Sequence, residues 1–112
     1  MSMDSYNNIY GRVIHPIKED REVGGTSSGE APLILTKCSV LGLTSEIVGS
    51  SRYPSLSCGV VSFTPSQLRG TNKGVHVFLS NKDYFDNMHL GIKFSPIARR
   101  VDDVVPLLRS IW

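Results

Sequence analysis

Two serine-rich blocks hold the residues of this sequence that are best suited to do chemistry. The first block, Gly24 to Glu30, reads Gly-Gly-Thr-Ser-Ser-Gly-Glu and stands at the mouth of a predicted helix. Glycines let a backbone approach closely, and hydroxyls beside backbone N–H groups suit the binding of an anion or of a reacting oxyanion. A serine-rich helix cap is the plainer interpretation. A nucleotide phosphate loop fits poorly, because Glu30 and Ala31 stand where its Lys and Ser/Thr belong.

The second block, Thr44 to Ser55, reads Thr-Ser-Glu-Ile-Val-Gly-Ser-Ser-Arg-Tyr-Pro-Ser and centres on Ser50. Taken alone, Ser50 is typical of a turn serine. It lacks the G-x-S-x-G pattern of a Ser-His-Asp nucleophile, since Val48 and Arg52 stand where the glycines belong. Ten of the fifteen serines and only four charged residues fall between Gly24 and Ser66, so these hydroxyls need specific hydrogen-bond partners. A site is therefore a better interpretation of this segment than a linker.

Two further runs accompany the serine blocks. Cys58 to Ser66 reads Cys-Gly-Val-Val-Ser-Phe-Thr-Pro-Ser, and Ser95 to Asp103 reads Ser-Pro-Ile-Ala-Arg-Arg-Val-Asp-Asp. In order and spacing, across about three quarters of the chain, the four runs resemble the amidase signature family. The blocks of that family read Gly-Gly-Ser-Ser-Gly-Gly-Glu, Thr-Asp-Ile-Gly-Gly-Ser-Ile-Arg-x-Pro, Cys-Gly with a Lys-Pro-Thr turn, and Gly-Pro-(Ile/Met)-Ala-Arg-(Ser/Thr)-Val-Glu-Asp. Ile9 to Arg12, which reads Ile-Tyr-Gly-Arg, is similar to a run of the fatty acid amide hydrolase branch.

The resemblance implies a hydrolase of C–N amide bonds that uses a Ser-Ser-Lys mechanism. In that mechanism a neutral lysine takes a proton from a serine on a cis peptide, and this serine activates the nucleophilic serine. By resemblance, the nucleophile falls on Ser50 and the relay hydroxyl on Thr26. The implied oxyanion hole consists of four backbone amides, those of Ile47, Val48, Gly49 and Ser50.

This sequence departs from the family pattern at three of the implied positions. Thr26 replaces a serine, and its extra methyl restricts χ1 although its hydroxyl can still pass a proton. Val48 replaces a glycine and is expected to distort the oxyanion hole, because a β-branched residue resists positive φ. Glu46 replaces an aspartate, and together with Arg52 it is implied to support the nucleophile turn with a side chain that is one methylene longer.

The catalytic lysine of the family lies further upstream of the first block than the 25 residues that precede Thr26. Lys18, the one lysine in that stretch, sits in a charged run typical of a solvated loop. Two hypotheses follow. The chain is an amidase segment that acts on amides, fatty acid amides being the narrower substrate class, or it is a catalytically silent homologue that at most binds substrate or a partner. The missing lysine favours silence for the isolated chain.

Composition excludes several other classes of protein. Twelve Lys and Arg against ten Asp and Glu give a net charge of +2, and the basic residues form no stripe that would bind nucleic acid. No apolar run approaches the roughly 18 residues of a transmembrane helix, and the start lacks a secretory signal, so an intracellular location is the default. The family resemblance implies peripheral association with a membrane as a further expected location. Cys38 and Cys58 are expected to be small buried hydrophobes, and neither they nor the three histidines have metal-ligand spacing. No metal or cofactor is expected.

The elements that must position the two blocks alternate between helix and strand. The pattern predicts a helix that begins after the glycine run, with Ser27 or Ser28 as its cap, and runs through Cys38. A helical piece is predicted at Ser51 to Cys58, and a turn at Ser45 to Gly49. The predicted strands are Val40 to Thr44, Gly59 to Phe63, Val75 to Leu79 and Ile92 to Ser95. The C-terminal helix has apolar residues at helical spacing, from Val101 to Ile111, and Asp102 and Asp103 at its positive end.

Strands that alternate with helices predict an α/β fold. By resemblance, residues 1–112 form part of an amidase domain: the central strands, the nucleophile turn and flanking helices of an α/β/α sandwich. A small-molecule amide is the implied substrate, and a lipid amide is the narrower class. Unpaired strand edges would leave the chain prone to self-association.

Overall fold

The computed structural model describes residues 3–67, 69–70 and 92–111. Eight elements lie in these ranges, five strands and three helices. The predicted strand at Val75 to Leu79 lies outside the described residues. In chain order the elements are β1 (Tyr6–Asn7), β2 (Gly11–Arg12), α1 (Glu30–Leu35), β3 (Leu41–Glu46), α2 (Arg52–Cys58), β4 (Val61–Ser62), β5 (Lys93–Ala98) and α3 (Val101–Ile111).

The main sheet of the described residues has the strand order β3-β5-β4. The strand β5 lies in the middle and is antiparallel to both neighbours, with Leu41 opposite Ala98 in one pair and Val61 opposite Ala98 in the other. The strands β3 and β4 therefore run parallel to each other, and α2 connects them. The two short strands β1 and β2 form a separate antiparallel hairpin.

Helix α1 is shorter than the sequence pattern predicts. Its N-cap is Gly29 and no side chain caps it, so the expected cap at Ser27 or Ser28 is wrong. Instead, the backbone carbonyl of Ser27 accepts the N–H groups of the first helical residues, Glu30 at 3.2 Å and Ala31 at 3.3 Å. The helix ends at Leu35 because the chain turns at Lys37, which adopts a left-handed φ of 64°.

The core lies between the sheet and the helices α1 and α2. Its buried apolar residues come from distant parts of the chain: Val23, Ala31, Ile34, Cys58 and Ile97. Cys58 is buried as predicted, whereas Cys38 is exposed, so the prediction for Cys38 is wrong. Cys38 follows the end of α1 in the turn around Lys37, which carries it out of the core.

Side chains of β3 alternate between the two faces of the sheet, as strand geometry requires. Gly42, Thr44 and Glu46 face inward and are buried, while Leu41 and Leu43 are exposed on the other face. The inner face of β3 thus ends at Glu46, and the turn that contains Ser50 follows directly. Within the described residues no helix has the length and apolar character needed to span a membrane.

Candidate active site

The glycine pair of the first block packs against the start of α2. Gly24 and Gly25 both have a φ of +69°, a conformation that side chains rarely adopt. A Cβ atom on Gly24 would overlap the ring of Tyr53, and one on Gly25 would lie 2.6 Å from Cδ of Pro54. Both glycines are therefore required by conformation and by contact, and they hold the first block against the second.

A backbone hydrogen bond joins the two blocks at the predicted site. The N–H of Ser27 donates to the carbonyl of Ser50 across 3.1 Å. Thr26 is exposed, whereas Ser50 is only 7% exposed. No hydrogen bond joins the two hydroxyls in the described structure. The fold thus brings the predicted nucleophile and relay residue onto adjoining loops without linking their side chains.

Every peptide bond among the described residues is trans. This includes the bonds on either side of Thr26, so the cis peptide that the resemblance implies at the relay position does not occur here. Val48 does not adopt a positive φ. Gly49 adopts the positive φ of the turn, at 115°, and Lys37 is the one non-glycine residue with positive φ in the described part of the chain.

The carboxylate of Glu46 holds the turn that contains Ser50 by accepting four consecutive backbone N–H groups. Gly49 and Ser50 donate to its Oε1, the latter at 3.1 Å. Ser51 and Arg52 donate to its Oε2, at 2.8 and 3.2 Å. The side chain of Glu46 is fully buried. The loop from strand to helix therefore wraps around one buried negative charge.

The guanidinium of Arg52 also contacts this carboxylate, with 3.4 Å between Nη2 and Oε1. Because Arg52 is 61% exposed on its side chain, this pair is partly screened and secondary to the backbone bonds. Burial raises the pKa of Glu46, but hydrogen bonds from the backbone of Gly49, Ser51 and Arg52 and from the Arg52 side chain outweigh it. The pKa of Glu46 is lowered as a result, and the group is ionised at neutral pH.

A buried chain of hydroxyls, which the sequence analysis did not single out, anchors the residue after Ser50. Oγ1 of Thr44 lies 2.6 Å from Oγ of Ser51 and donates to the carbonyl of Ser95 across 2.6 Å. Since Thr44 has a single hydroxyl proton, Ser51 must be the donor in the first bond. Oγ of Ser95 in turn lies 3.1 Å from Oγ1 of Thr64. The excess of serines in a weakly charged segment was the available signal for this network.

A cavity of about 390 Å³ opens beside Thr26. Oγ of Ser5 is buried there without a hydrogen-bond partner among the described residues. The lining is largely polar and comes from the N-terminal hairpin and the first block: Asp4, Ser5, Tyr6, Asn7, Val13, Thr26, Ser28 and Gly29. Thr26, the predicted relay residue, thus borders a space large enough for a small polar group. No cluster of residues suited to hold a metal ion occurs in the described ranges.

Comparisons with known proteins agree on one family. The amidase family profile matches residues 1–112. The chain is 30% identical to fatty-acid amide hydrolase 1 of Sus scrofa over 110 residues, which is 98% of this chain and 18% of that protein. It is 32% identical to the vitamin D3 hydroxylase-associated protein of Gallus gallus over 111 residues, 99% of this chain and 23% of that protein.

The fold has a counterpart among solved structures. The structure of 6-aminohexanoate cyclic dimer hydrolase complexed with substrate superposes with a TM-score of 0.80 at 24% identity, covering 98% of this chain and 22% of that one. The chain thus spans about a fifth of the length of the proteins it matches. Its partial α/β architecture is that of the amidase fold, as the sequence predicted. The profile match over all 112 residues and these relatives lead to one conclusion: the chain belongs to the amidase family.

Proposed function

We propose that this chain carries the nucleophile turn of an enzyme that hydrolyses C–N amide bonds. Ser50 is the nucleophile, Thr26 relays its proton, and the amides of Ile47 to Ser50 stabilise the oxyanion. The observation that carries the proposal is the geometry of Ser50. It is held in a turn around the buried Glu46 carboxylate and is bonded through its carbonyl to the block that contains Thr26.

The narrower part of the proposal concerns the substrate. We propose a long-chain amide, because apolar side chains stand exposed on the hairpin that borders the cavity at Thr26. Ile9 is 82% exposed and Tyr10 is 86% exposed, and both lie in the turn between β1 and β2. Fatty-acid amide hydrolases are among the similar proteins, which supports this choice. A long-chain amide such as oleamide is therefore the first substrate to test.

The mechanism needs an amine that accepts the proton from Thr26. No lysine of the described residues hydrogen-bonds to that hydroxyl. A small primary amine such as butylamine fits the size of the cavity beside Thr26 and can be added to supply the base. General-base catalysis typically contributes about a hundredfold to ten-thousandfold, so the added amine should have a large effect.

The test is labelling of Ser50 by a fluorophosphonate probe, read by peptide mapping, with and without butylamine. We expect labelling that requires the amine and vanishes in Ser50→Ala. Thr26→Ser should keep the labelling and Thr26→Val should lose it, because only the serine retains a hydroxyl for the relay. Absence of labelling in the amine buffer, or labelling that survives Ser50→Ala, contradicts the proposal. Labelling without amine would mean that a base lies within the chain, and Lys18 and Lys37 would be substituted first.

The second candidate is a catalytically silent homologue that binds substrate or a partner chain. It is favoured by the absence of a hydrogen bond between the Thr26 and Ser50 hydroxyls in the described structure. Oleamide binding without turnover, together with no fluorophosphonate labelling under either condition, would support this candidate.

A further inference from the structure

Two of the backbone N–H groups proposed as oxyanion donors are already engaged in this structure. The N–H groups of Gly49 and Ser50 both donate to Oε1 of Glu46. The next two N–H groups, those of Ser51 and Arg52, donate to Oε2. Each carboxylate oxygen therefore takes one adjacent pair of amides, and the pair on Oε1 includes the amide of the nucleophile.

We propose that Glu46 controls the availability of the oxyanion hole by occupying the amides of Gly49 and Ser50. A substrate carbonyl can use these donors only after Oε1 has withdrawn from them. Glu46 is thus a positioning residue, because the length of its side chain determines whether its carboxylate occupies these two amides and so affects the rate of the reaction. This inference rests on the proposed function of Ser50.

The physical reason is competition between two negatively charged oxygens for the same donors. A backbone N–H has one hydrogen, and a charge-assisted bond to a carboxylate is about twice as strong as a neutral one. A developing oxyanion would also lie close to Oε1, and like charges repel strongly in a buried site. Glu46 is fully buried, so water cannot take over its hydrogen bonds while it stays in place. The contact therefore opposes the stabilisation that the proposed reaction requires.

The length of the side chain decides which amides the carboxylate can reach. Glutamate places its carboxylate one C–C bond, about 1.5 Å, further from the backbone than aspartate does. An aspartate at position 46, anchored on the N–H groups of Ser51 and Arg52, would draw its other oxygen back from Gly49 and Ser50. The extra methylene thus allows one carboxylate to cover all four amides.

The turn has supports that do not depend on this carboxylate. Ser51 is fixed by its hydroxyl bond to Thr44, and the carbonyl of Ser50 is fixed by the N–H of Ser27. A shorter acidic side chain at position 46 should therefore leave the backbone of the turn in place while it frees two of its N–H groups. Glu46→Asp is the substitution that isolates the proposed effect.

The first measurement is amide hydrogen exchange of residues 49 to 52 by NMR, in the unsubstituted chain and in Glu46→Asp. Glu19→Asp, which shortens an exposed carboxylate in the N-terminal loop, is the matched control. We expect exchange at Gly49 and Ser50 to become about tenfold faster in Glu46→Asp while Ser51 keeps its protection. Unchanged exchange at Gly49 and Ser50 overturns the proposal.

The second measurement is the rate of fluorophosphonate labelling of Ser50 in butylamine. Loss of a single oxyanion donor typically costs about a hundredfold or more, so freeing two donors should raise the rate at least about tenfold in Glu46→Asp. Faster exchange with an equal or lower labelling rate overturns the control by Glu46 while Ser50 remains the nucleophile. Faster exchange with no labelling in any variant overturns the proposed function of Ser50, and the proposed control of its rate falls with it. In that case the exchange data still support the occupation of the Gly49 and Ser50 amides by Glu46.

Discussion

At the scale of single residues, Glu46 is the most consequential side chain in the described structure. It is a fully buried carboxylate whose negative charge is balanced by four backbone N–H groups and the guanidinium of Arg52. A buried charge is tolerated only when its hydrogen bonds are made, and here the chain supplies them from one turn. The residue that positions Ser50 therefore also ties the stability of the fold to its own ionisation.

We expect the stability of the chain to fall in acid because of Glu46, and Glu46→Gln to remove this pH dependence. The pKa of Glu46 is lower in the folded state than in the unfolded state, where it is about 4.3. Its contribution to the free energy of unfolding is therefore complete well above pH ~4.3 and is lost as the pH falls through the folded pKa. At neutral pH the amide should cost about 2 kcal/mol, because its NH₂ group opposes N–H donors. Urea unfolding from pH 7 to pH 3 measures this. The idea fails if the difference between the two proteins is the same at both ends of that range.

At the scale of elements, the site depends on hydrogen bonds that run between strands and loops. Thr44 lies on β3, Ser51 precedes α2, and Ser95 lies on β5, yet their polar atoms meet within 2.6 Å. The glycine pair adds a second junction, because Gly24 and Gly25 allow the first block to lie against the start of α2. The turn that contains Ser50 is thus fixed at its start by Glu46, at its end by Ser51 and from the side by the first block.

Replacing Thr44 by valine should destabilise the chain by about 2 kcal/mol. The valine has a similar shape but leaves the buried hydroxyl of Ser51 without its acceptor and the carbonyl of Ser95 without that donor. Ser45→Ala removes an exposed hydroxyl from the same strand and should be nearly neutral. The check is the free energy of unfolding from urea titration of both variants. Equal effects of the two substitutions would show that the hydroxyl chain contributes nothing specific.

At the scale of the whole molecule, two leucines of β3 lie exposed on one face of the described sheet. Leu41 and Leu43 are 37% and 48% exposed on that face, and β3 is an outer strand of the described sheet. Exposed apolar patches and outer strands both favour association with other surfaces. Self-association therefore remains a prediction for the isolated chain.

We expect the isolated chain to self-associate with rising concentration, and Leu43→Lys to weaken the association at least about tenfold. The lysine places a charge beside Leu41 on the exposed face of β3, and a charge is costly to bury in an interface. Leu56→Lys, at an exposed apolar position on α2, is the control and should have little effect. Sedimentation velocity over a range of concentrations measures the outcome. A chain that stays monomeric throughout, or two substitutions with equal effects, would contradict the prediction.

The main helices and the strand before Ser50 could be predicted from the sequence, whereas the hairpin of β1 and β2 and the buried hydroxyl chain were not predicted. The helices at Arg52–Cys58 and Val101–Ile111 and the strand at Leu41–Glu46 lie within a few residues of their predicted ranges. These features depend on local patterns of apolar and turn residues, which periodicity records. The family membership could be predicted as well, because four runs kept their order and spacing along the chain.

Only the tertiary structure decided how the site residues contact one another. The acceptor of the Thr44 hydroxyl lies 51 positions away along the chain, and no local pattern specifies such a partner. The same holds for burial: the sequence predicted both Cys38 and Cys58 to be buried, but the left-handed turn at Lys37 leaves Cys38 exposed and the core encloses Cys58. The four N–H groups around Glu46 illustrate both points, because they involve hydrogen-bond partners and a buried charge. Their sequence positions implied a supporting acid, whereas its reach onto Gly49 and Ser50 follows from the packed conformation of the turn, because hydrogen bonds depend on positions in space.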